Sequence, residues 1–156
     1  MKKFVLTSDM LTGIDDIDNQ HRKLLSWGND LCFDDTEASV NKIEEVLNNL
    51  TRYVSYHFRA EEEAMNRYRY KMLGKHSIQH ERLMFDVAKL VVRSKKEGVS
   101  HALLMELQDM LIDWFRYHIQ EWDRPFATFV KNNNLLTSFS LIGENGDYDW
   151  SEIDLT

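Results

Sequence analysis

Histidine is the side chain in this sequence whose placement carries the most chemistry. Five of the six histidines share a pattern with two carboxylates, and imidazole is the commonest metal ligand among protein side chains. His57 with Glu61 and His76 with His80 are pairs four residues apart, a spacing that places both members on one face of a helix. The pattern predicts a metal centre. Its candidate ligands are His21, His57, Glu61, His76, His80, His118 and Asp123.

The composition of this ligand set indicates which metals it would bind. Five imidazoles and two carboxylates exceed the needs of one four-coordinate zinc ion, and they are too rich in nitrogen for calcium or magnesium. Two ions bridged by carboxylates fit the set better. Iron, manganese, copper and zinc all accept imidazole together with carboxylate, so the ligand types leave the metal open.

Long helices must position these residues. The chain has one proline and six glycines, and apolar residues recur at intervals of three and four along four segments. Gly98 and Ser100 mark the end of the third segment and the start of the fourth. Short loops make successive helices antiparallel. The sequence therefore predicts an all-α, antiparallel up-down-up-down four-helix bundle with an N-terminal arm and an acidic C-terminal tail.

The antiparallel order brings the candidate ligands to one end of this bundle. The first and third helices carry their candidates near their starts, and the second and fourth carry theirs near their ends. A lone histidine on an apolar stripe is usually a hydrogen-bonded core residue, but five converging histidines would mainly face one another. His101 lies about 25 Å along the helix from His118, so we predict that it is a surface residue.

Asp123 requires an irregularity in the fourth helix. It follows His118 by five residues, a separation that rotates it by about 140° from the histidine on an ideal α-helix. Pro125 has no backbone donor and clashes with the carbonyl four residues earlier, at Glu121. We therefore expect the helix to kink or end where Asp123 must turn inward.

Composition excludes several other classes of function. The 156 residues fit one domain, and a net charge of −7 disfavours nucleic acid or an anionic membrane as the main partner. No apolar stretch is long enough to span a membrane, and the apolar run near the N-terminus is too short for a signal peptide. Cys32 is the single cysteine, so no intrachain disulfide can form. These features predict a soluble, cytoplasmic protein.

The segment after Lys131 differs in composition from the rest of the chain. We place a boundary there, with the bundle at 1–131 and an acidic extension at 132–156. The extension contains five acidic residues and no lysine or arginine, together with scattered apolar side chains. Such a segment either docks on a partner protein, packs over its own domain or stays disordered.

Four motifs resemble the hemerythrin family, in particular its single-domain bacteriohemerythrins. The similarity extends over about residues 10–131, in the order of the elements and in all seven ligand positions. Each motif is short, but the complete set is highly specific. The motifs are GIDDIDNQH at 13–21, HFRAEE at 57–62, His76 with His80, and WFRYHI at 114–119 with Asp123.

The resemblance implies a non-haem di-iron centre in residues 1–131 that binds dioxygen reversibly. By this analogy one iron ion has three histidines, the other has two, and the ions share two carboxylates and an oxo or hydroxo group. The ligands are His76, His80 and His118 for the first ion, His21 and His57 for the second, and Glu61 and Asp123 for both. The ion with two histidines keeps a position for dioxygen.

Apolar side chains beside the ligands are candidates for the wall of a dioxygen pocket: Phe58, Trp114, Phe115 and Ile119. Such a wall would exclude the water and protons that release reduced oxygen species. Each residue also has a simpler interpretation as core packing, and the two roles are compatible. Phe115 departs from the family, in which leucine is common at this position, and its larger ring would narrow the pocket.

Three classes of function remain open. The first is non-enzymatic dioxygen binding for storage, delivery or buffering, the second is a di-iron oxidoreductase acting on peroxide or nitric oxide, and the third is an oxygen or redox sensor. The sequence contains no Glu-x-x-His repeat of the oxygen-activating di-iron bundles. Because neutral imidazoles donate less negative charge than carboxylates, high-valent iron would be less stabilised, which favours the first class.

Overall fold

A computed structural model describes residues 5–30 and 40–141, which form helices and turns with no strand among them. The helices are α1 (Asp15–Asp30), α2 (Val40–Arg67), α3 (Leu73–Glu97), α4 (His101–His118) and α5 (Arg124–Asn132). A 3-10 turn at Ser8–Met10 precedes α1, and a π-helical turn at Ile119–Asp123 joins α4 to α5. Successive helices pack side by side, which confirms the predicted bundle. None of the described helices is long and apolar enough to cross a membrane.

Apolar residues at helical spacing form two core clusters. The larger cluster fills the bundle between α1, α2, α3 and α4, where Leu50, Leu83 and Leu107 are each at most 2% exposed. Burial of one such side chain stabilises the fold by about 1.5–3 kcal/mol. The smaller cluster closes one end of the bundle around Met65 and Phe126, both fully buried. The polar candidate ligands therefore have apolar packing on both sides.

The junction between α3 and α4 follows the sequence prediction. Gly98 ends α3 with a φ of 82°, a left-handed conformation that glycine adopts without steric cost. Ser100 caps α4, because its side-chain oxygen accepts a hydrogen bond from the Leu103 N–H at 3.2 Å. The two residues reverse the chain within a short loop, so α4 returns along α3.

The chain beyond α5 folds back on the bundle as far as Leu141. The Tyr68 hydroxyl donates to the Ser138 carbonyl at 2.8 Å, and Arg67 donates to the Ser140 carbonyl at 3.2 Å. The Leu141 N–H donates to an Asp16 carboxylate oxygen at 3.2 Å, and the Leu141 side chain is buried. Packing thus continues into the predicted extension, whose remainder, 142–156, lies outside the described residues.

Candidate metal centre

All seven predicted ligand residues lie together at one end of the bundle, and none is more than 2% exposed. Four helices and the π-helical turn contribute to the cluster. Its ligand atoms form two groups, and within each group all atoms lie within 4.8 Å of one another. The groups are Glu61, His76, His80, His118 and Asp123, and His21, His57, Glu61 and Asp123. His101 is exposed at the start of α4, as predicted.

The first group directs three imidazole nitrogens towards one point. Nε2 of His118 lies 3.0 Å from Nε2 of His76 and 3.0 Å from Nε2 of His80. Nitrogens bound to one ion at about 2.1 Å would be about 3.0 Å apart at right angles and about 3.4 Å apart in a tetrahedron. The observed spacing therefore fits adjacent positions on a six-coordinate ion better than a tetrahedral zinc site.

The two carboxylates lie between the histidine groups, and each divides its oxygens between them. Oε1 of Glu61 lies 3.5 Å from Nε2 of His57, and Oε2 lies 3.4 Å from the nearest Nε2 of the three-histidine group. Oδ2 of Asp123 lies 3.1 Å from Nε2 of His21, and Oδ1 lies 3.0 Å from Nε2 of His118. This orientation is the one that bridging carboxylates between two metal ions require.

The π-helical turn explains how Asp123 faces the cluster. The Arg124 N–H donates to the Ile119 carbonyl five residues back, so the turn contains more residues than a turn of α-helix. The wider turn absorbs the five-residue separation and returns Asp123 to the face of His118. The fourth helix is interrupted where we expected: α4 ends at His118, and α5 begins at Arg124 after the π-helical turn. Pro125 lies in the first turn of α5, where no backbone donor is needed.

Two histidines hold their outer nitrogen against a polar side chain. Nδ1 of His57 donates to Oε1 of Gln20 at 2.7 Å, and Nδ1 of His80 donates to Oε1 of Glu62 at 2.7 Å. Such acceptors fix the proton on Nδ1 and leave the Nε2 lone pair facing the cluster. Glu62 was not identified from the sequence as a residue of the site. Its position beside Glu61, opposite the start of α3, was the available signal.

Several inward-facing atoms form no hydrogen bond within the described part of the chain, although some lie about 3 Å from a histidine nitrogen, because the geometry of these contacts is not that of a hydrogen bond. They are Nε2 of His21 and His57 and both carboxylate oxygens of Glu61 and of Asp123. An unsatisfied buried polar group costs about 1–3 kcal/mol, and a charged group costs more. All of these atoms have lone pairs directed at the interior of the cluster. The donor set therefore fits metal cations that would satisfy these atoms together.

Burial and mutual proximity shift the pKa values of the cluster in both directions. Burial lowers the pKa of His57 to about 3, which keeps this imidazole neutral. Burial also opposes charge on His76, but the carboxylates of Asp123 and Glu61 overcome that effect and raise its pKa to about 9. In the absence of metal, the proton on His76 balances part of the buried negative charge. A metal cation would displace this proton.

Two aromatic rings pack flat against ligands of the three-histidine group. Phe58 stacks on His80 with the ring centroids 3.8 Å apart and the planes 2° apart. Trp114 stacks on His118 at 4.2 Å and 13°. These contacts fix the planes of both imidazoles, so the two predicted pocket residues mainly support ligands on this side.

The other predicted pocket residues are buried beside the ligands. The Phe115 ring lies edge-on to His21, with the centroids 6.5 Å apart, and Phe115 is 3% exposed. Ile119 directly follows His118 and is fully buried. Phe115 therefore borders the two-histidine group, the side on which the cluster offers fewer protein donors.

Comparisons with known proteins agree with this geometry. Residues 12–130 match the family model described as the hemerythrin HHE cation binding domain. A bacteriohemerythrin of Stenotrophomonas maltophilia is 33% identical over 132 residues, which cover 84% of each chain. A bacteriohemerythrin of Clostridium acetobutylicum is 28% identical over 127 residues, or 79% of this chain and 98% of the relative.

One solved structure has a similar fold. It is the crystal structure of a leucine-to-phenylalanine mutant, and it matches 82% of this chain and 97% of its own with a TM-score of 0.73. At 23% sequence identity this likeness shows the helical fold alone.

Proposed function

The chain belongs to the hemerythrin family, and from this premise we propose that it binds dioxygen reversibly at a non-haem di-iron centre. The role would be storage, delivery or local buffering of dioxygen rather than enzymatic turnover. The division of each carboxylate between the two histidine groups carries the proposal, because it provides for two ions and not one.

The numbers of protein donors support an unequal pair of iron ions. The three-histidine group has five donor residues and the two-histidine group has four, with both carboxylates counted in each. With one shared oxo or hydroxo group, six-coordination would be complete on the first side and would leave one position on the second. The ligands would be His76, His80 and His118 on the first side, His21 and His57 on the second, and Glu61 and Asp123 on both.

The side chains around the two-histidine group account for reversibility. Two ferrous ions held by these residues would supply electrons to dioxygen and would recover them on its release. Phe115 is buried against His21 and would exclude water and protons from this side of the cluster, and Ile119, directly after His118, is fully buried as well. Gln20 is a neutral partner for His57, so it orients this ligand without adding negative charge.

The proposal is tested by the optical spectrum of iron-reconstituted protein that is reduced without air, exposed to dioxygen and then purged. Charge-transfer bands that appear with dioxygen and disappear on purging are expected through repeated cycles. Immediate, irreversible conversion to the ferric form would contradict reversible binding. Rapid turnover of added peroxide or nitric oxide would instead indicate the oxidoreductase, and a ferric product that alters exposure of the tail would indicate the sensor.

A further inference from the structure

The outer face of α3 exposes a row of large apolar side chains. Ile78, Phe85 and Val92 are 45%, 66% and 63% exposed. They are seven residues apart, or about two helical turns, so they lie on one line along the helix. The buried residues of α3, such as Leu83 and Val87, lie on the opposite side. This apolar row is therefore outside the packing of the described bundle.

A basic row runs beside the apolar row. Its members are exposed, and the first three precede the residues of the apolar row by three positions, which makes the two rows neighbours on the helix surface. Their spacing is again seven residues, and they are Lys75, Arg82, Lys89 and Lys96. Nζ of Lys89 lies 4.9 Å from the centre of the Phe85 ring and 2.6 Å from a carboxylate oxygen of Asp86. In total α3 has six basic and three acidic residues, although the whole chain has a net charge of −7.

A cleft between α3 and α4 opens at the edge of the basic row. Its volume is about 370 Å³, and it combines an apolar base with charged walls. Arg93 and Glu106 form an ion pair on these walls. The lining residues are Asp86, Lys89, Leu90, Arg93, Glu106 and Met110. The volume of the cleft and its apolar base at Leu90 and Met110 suit an aromatic side chain.

We propose that the C-terminal segment 142–156 of the same chain docks on this outer face of α3. Charge complementarity points to this occupant, since the segment has five acidic residues and no lysine or arginine. It also has apolar side chains that would cover the apolar row. These are Ile142, Tyr148, Trp150, Ile153 and Leu155.

The place where the described chain ends favours docking within one molecule. Tyr68 and Arg67 hold the carbonyls of Ser138 and Ser140, and both lie just before α3 begins. Fifteen further residues reach up to about 50 Å when extended. The apolar row from Ile78 to Val92 is about 21 Å long, so the segment can cross the end of the bundle and follow the row. Tethering would also give it a millimolar effective concentration.

Proteolysis of the full chain tests this proposal. A glutamate-specific protease can cut the segment at Glu144 and Glu152, and intact mass reports the rate. The double variant Arg82→Glu with Lys89→Glu is expected to be cut at least about tenfold faster than the original chain, because opening exposes the segment. The matched control, Arg59→Glu with Arg116→Glu, makes the same charge change at exposed sites on α2 and α4 and should leave the rate unchanged.

Disulfide trapping provides a second test, which detects the docked segment directly and does not depend on a variant that releases it. In a Cys32→Ser background, Phe85→Cys with Trp150→Cys should form an intramolecular disulfide about tenfold faster than Met105→Cys with Trp150→Cys, since Met105 is exposed on α4. Equal cleavage rates and equal trapping rates would overturn the proposal. Protection that grows with protein concentration would also overturn it and would assign the face to a second copy of the chain.

Discussion

Glu61 and Asp123 are the residues on which the proposed two-ion site depends. Both are fully buried, and each directs one oxygen to each histidine group. A carboxylate that served one ion would have no reason to leave its second oxygen unsatisfied in the interior. In the proposed centre the histidines would determine what kind of metal is accepted, and the carboxylates would hold the two ions together.

Glu62 is expected to strengthen metal binding through His80. Its carboxylate accepts from Nδ1 of His80 and so orients the ring and increases the basicity of Nε2. Glu62→Gln keeps the acceptor but removes the charge, and we expect metal affinity to fall by about tenfold. Anaerobic titration of the apoprotein with ferrous ion measures the change. Glu63→Gln is the matched control on the neighbouring exposed residue, and an equal loss in that variant would show a general charge effect.

Phe115 is expected to protect the two-histidine side of the site. Phe115→Leu removes part of a ring that is 3% exposed and borders His21, so the variant should lose about 1 kcal/mol of unfolding free energy. The extra space would admit water, and oxidation of the oxygenated protein to the ferric form should accelerate several-fold. Absorbance decay in air measures the oxidation rate. An unchanged or slower rate would mean that Phe115 has no protective role.

At the scale of elements, the ends of the helices determine where the ligands meet. α4 begins at a serine cap and delivers His118 eighteen residues later, and the π-helical turn then places Asp123 on the same face. The N-terminal arm contacts this turn, because Gln120 donates to the Asp9 carboxylate at 2.8 Å and Arg124 donates to the Asp9 carbonyl at 3.2 Å. The arm thus packs over the irregular part of the helix.

The cap of α4 should contribute to stability without affecting metal content. Ser100→Ala removes the acceptor for the Leu103 N–H and is expected to lower the free energy of unfolding by about 1 kcal/mol. Urea denaturation of the apoprotein measures the loss. Ser26→Ala, at an exposed position inside α1, should cost nothing, because alanine is the better helix former. A loss as large in Ser26→Ala would contradict the assignment of the cap.

The sequence was sufficient for the bundle and for the convergence of the ligands, but not for every local feature. Apolar residues at intervals of three and four predict the four long helices, and the short loops between them predict the antiparallel order. The π-helical turn could not, because its hydrogen bonds depend on where Asp123 is held in three dimensions. The contact between Glu62 and His80 also depends on the exact packing of α2 against α3, which spacing along one helix does not report.

At the scale of the whole molecule, a buried charged cluster makes stability depend on pH and on metal. The carboxyl pKa of Glu61 is lowered, since nearby histidines outweigh its burial and the charge of Asp123. At pH values above 4.5, the ordinary pKa of a glutamate, the charged Glu61 carboxylate therefore stabilises the folded state. This contribution is lost as the pH falls. The pKa of His57 is lowered from 6.5 to about 3, so the folded state resists protonation of this imidazole. The contribution of neutral His57 to the stability of the fold is therefore lost as the pH falls below 6.5.

The apoprotein should be most stable near pH 6.5. His76 has its pKa raised from 6.5 to about 9, so its contribution is complete below 6.5 and is lost as the pH rises through 9. A metal ion replaces this proton, and the iron-loaded protein should therefore not lose stability between pH 6.5 and 9. Melting temperatures of both forms across this range measure the effect. A parallel decline in both forms would contradict a role for the cluster.

In the proposed centre, seven side chains hold two iron ions that share Glu61 and Asp123. Anomalous diffraction at the iron absorption edge, from crystals of reconstituted protein, would locate the ions. We expect two iron peaks, one beside His76, His80 and His118 and the other beside His21 and His57, with both carboxylates in contact with both peaks. A single peak, or two peaks with either carboxylate bound to one ion alone, would rule out the shared site.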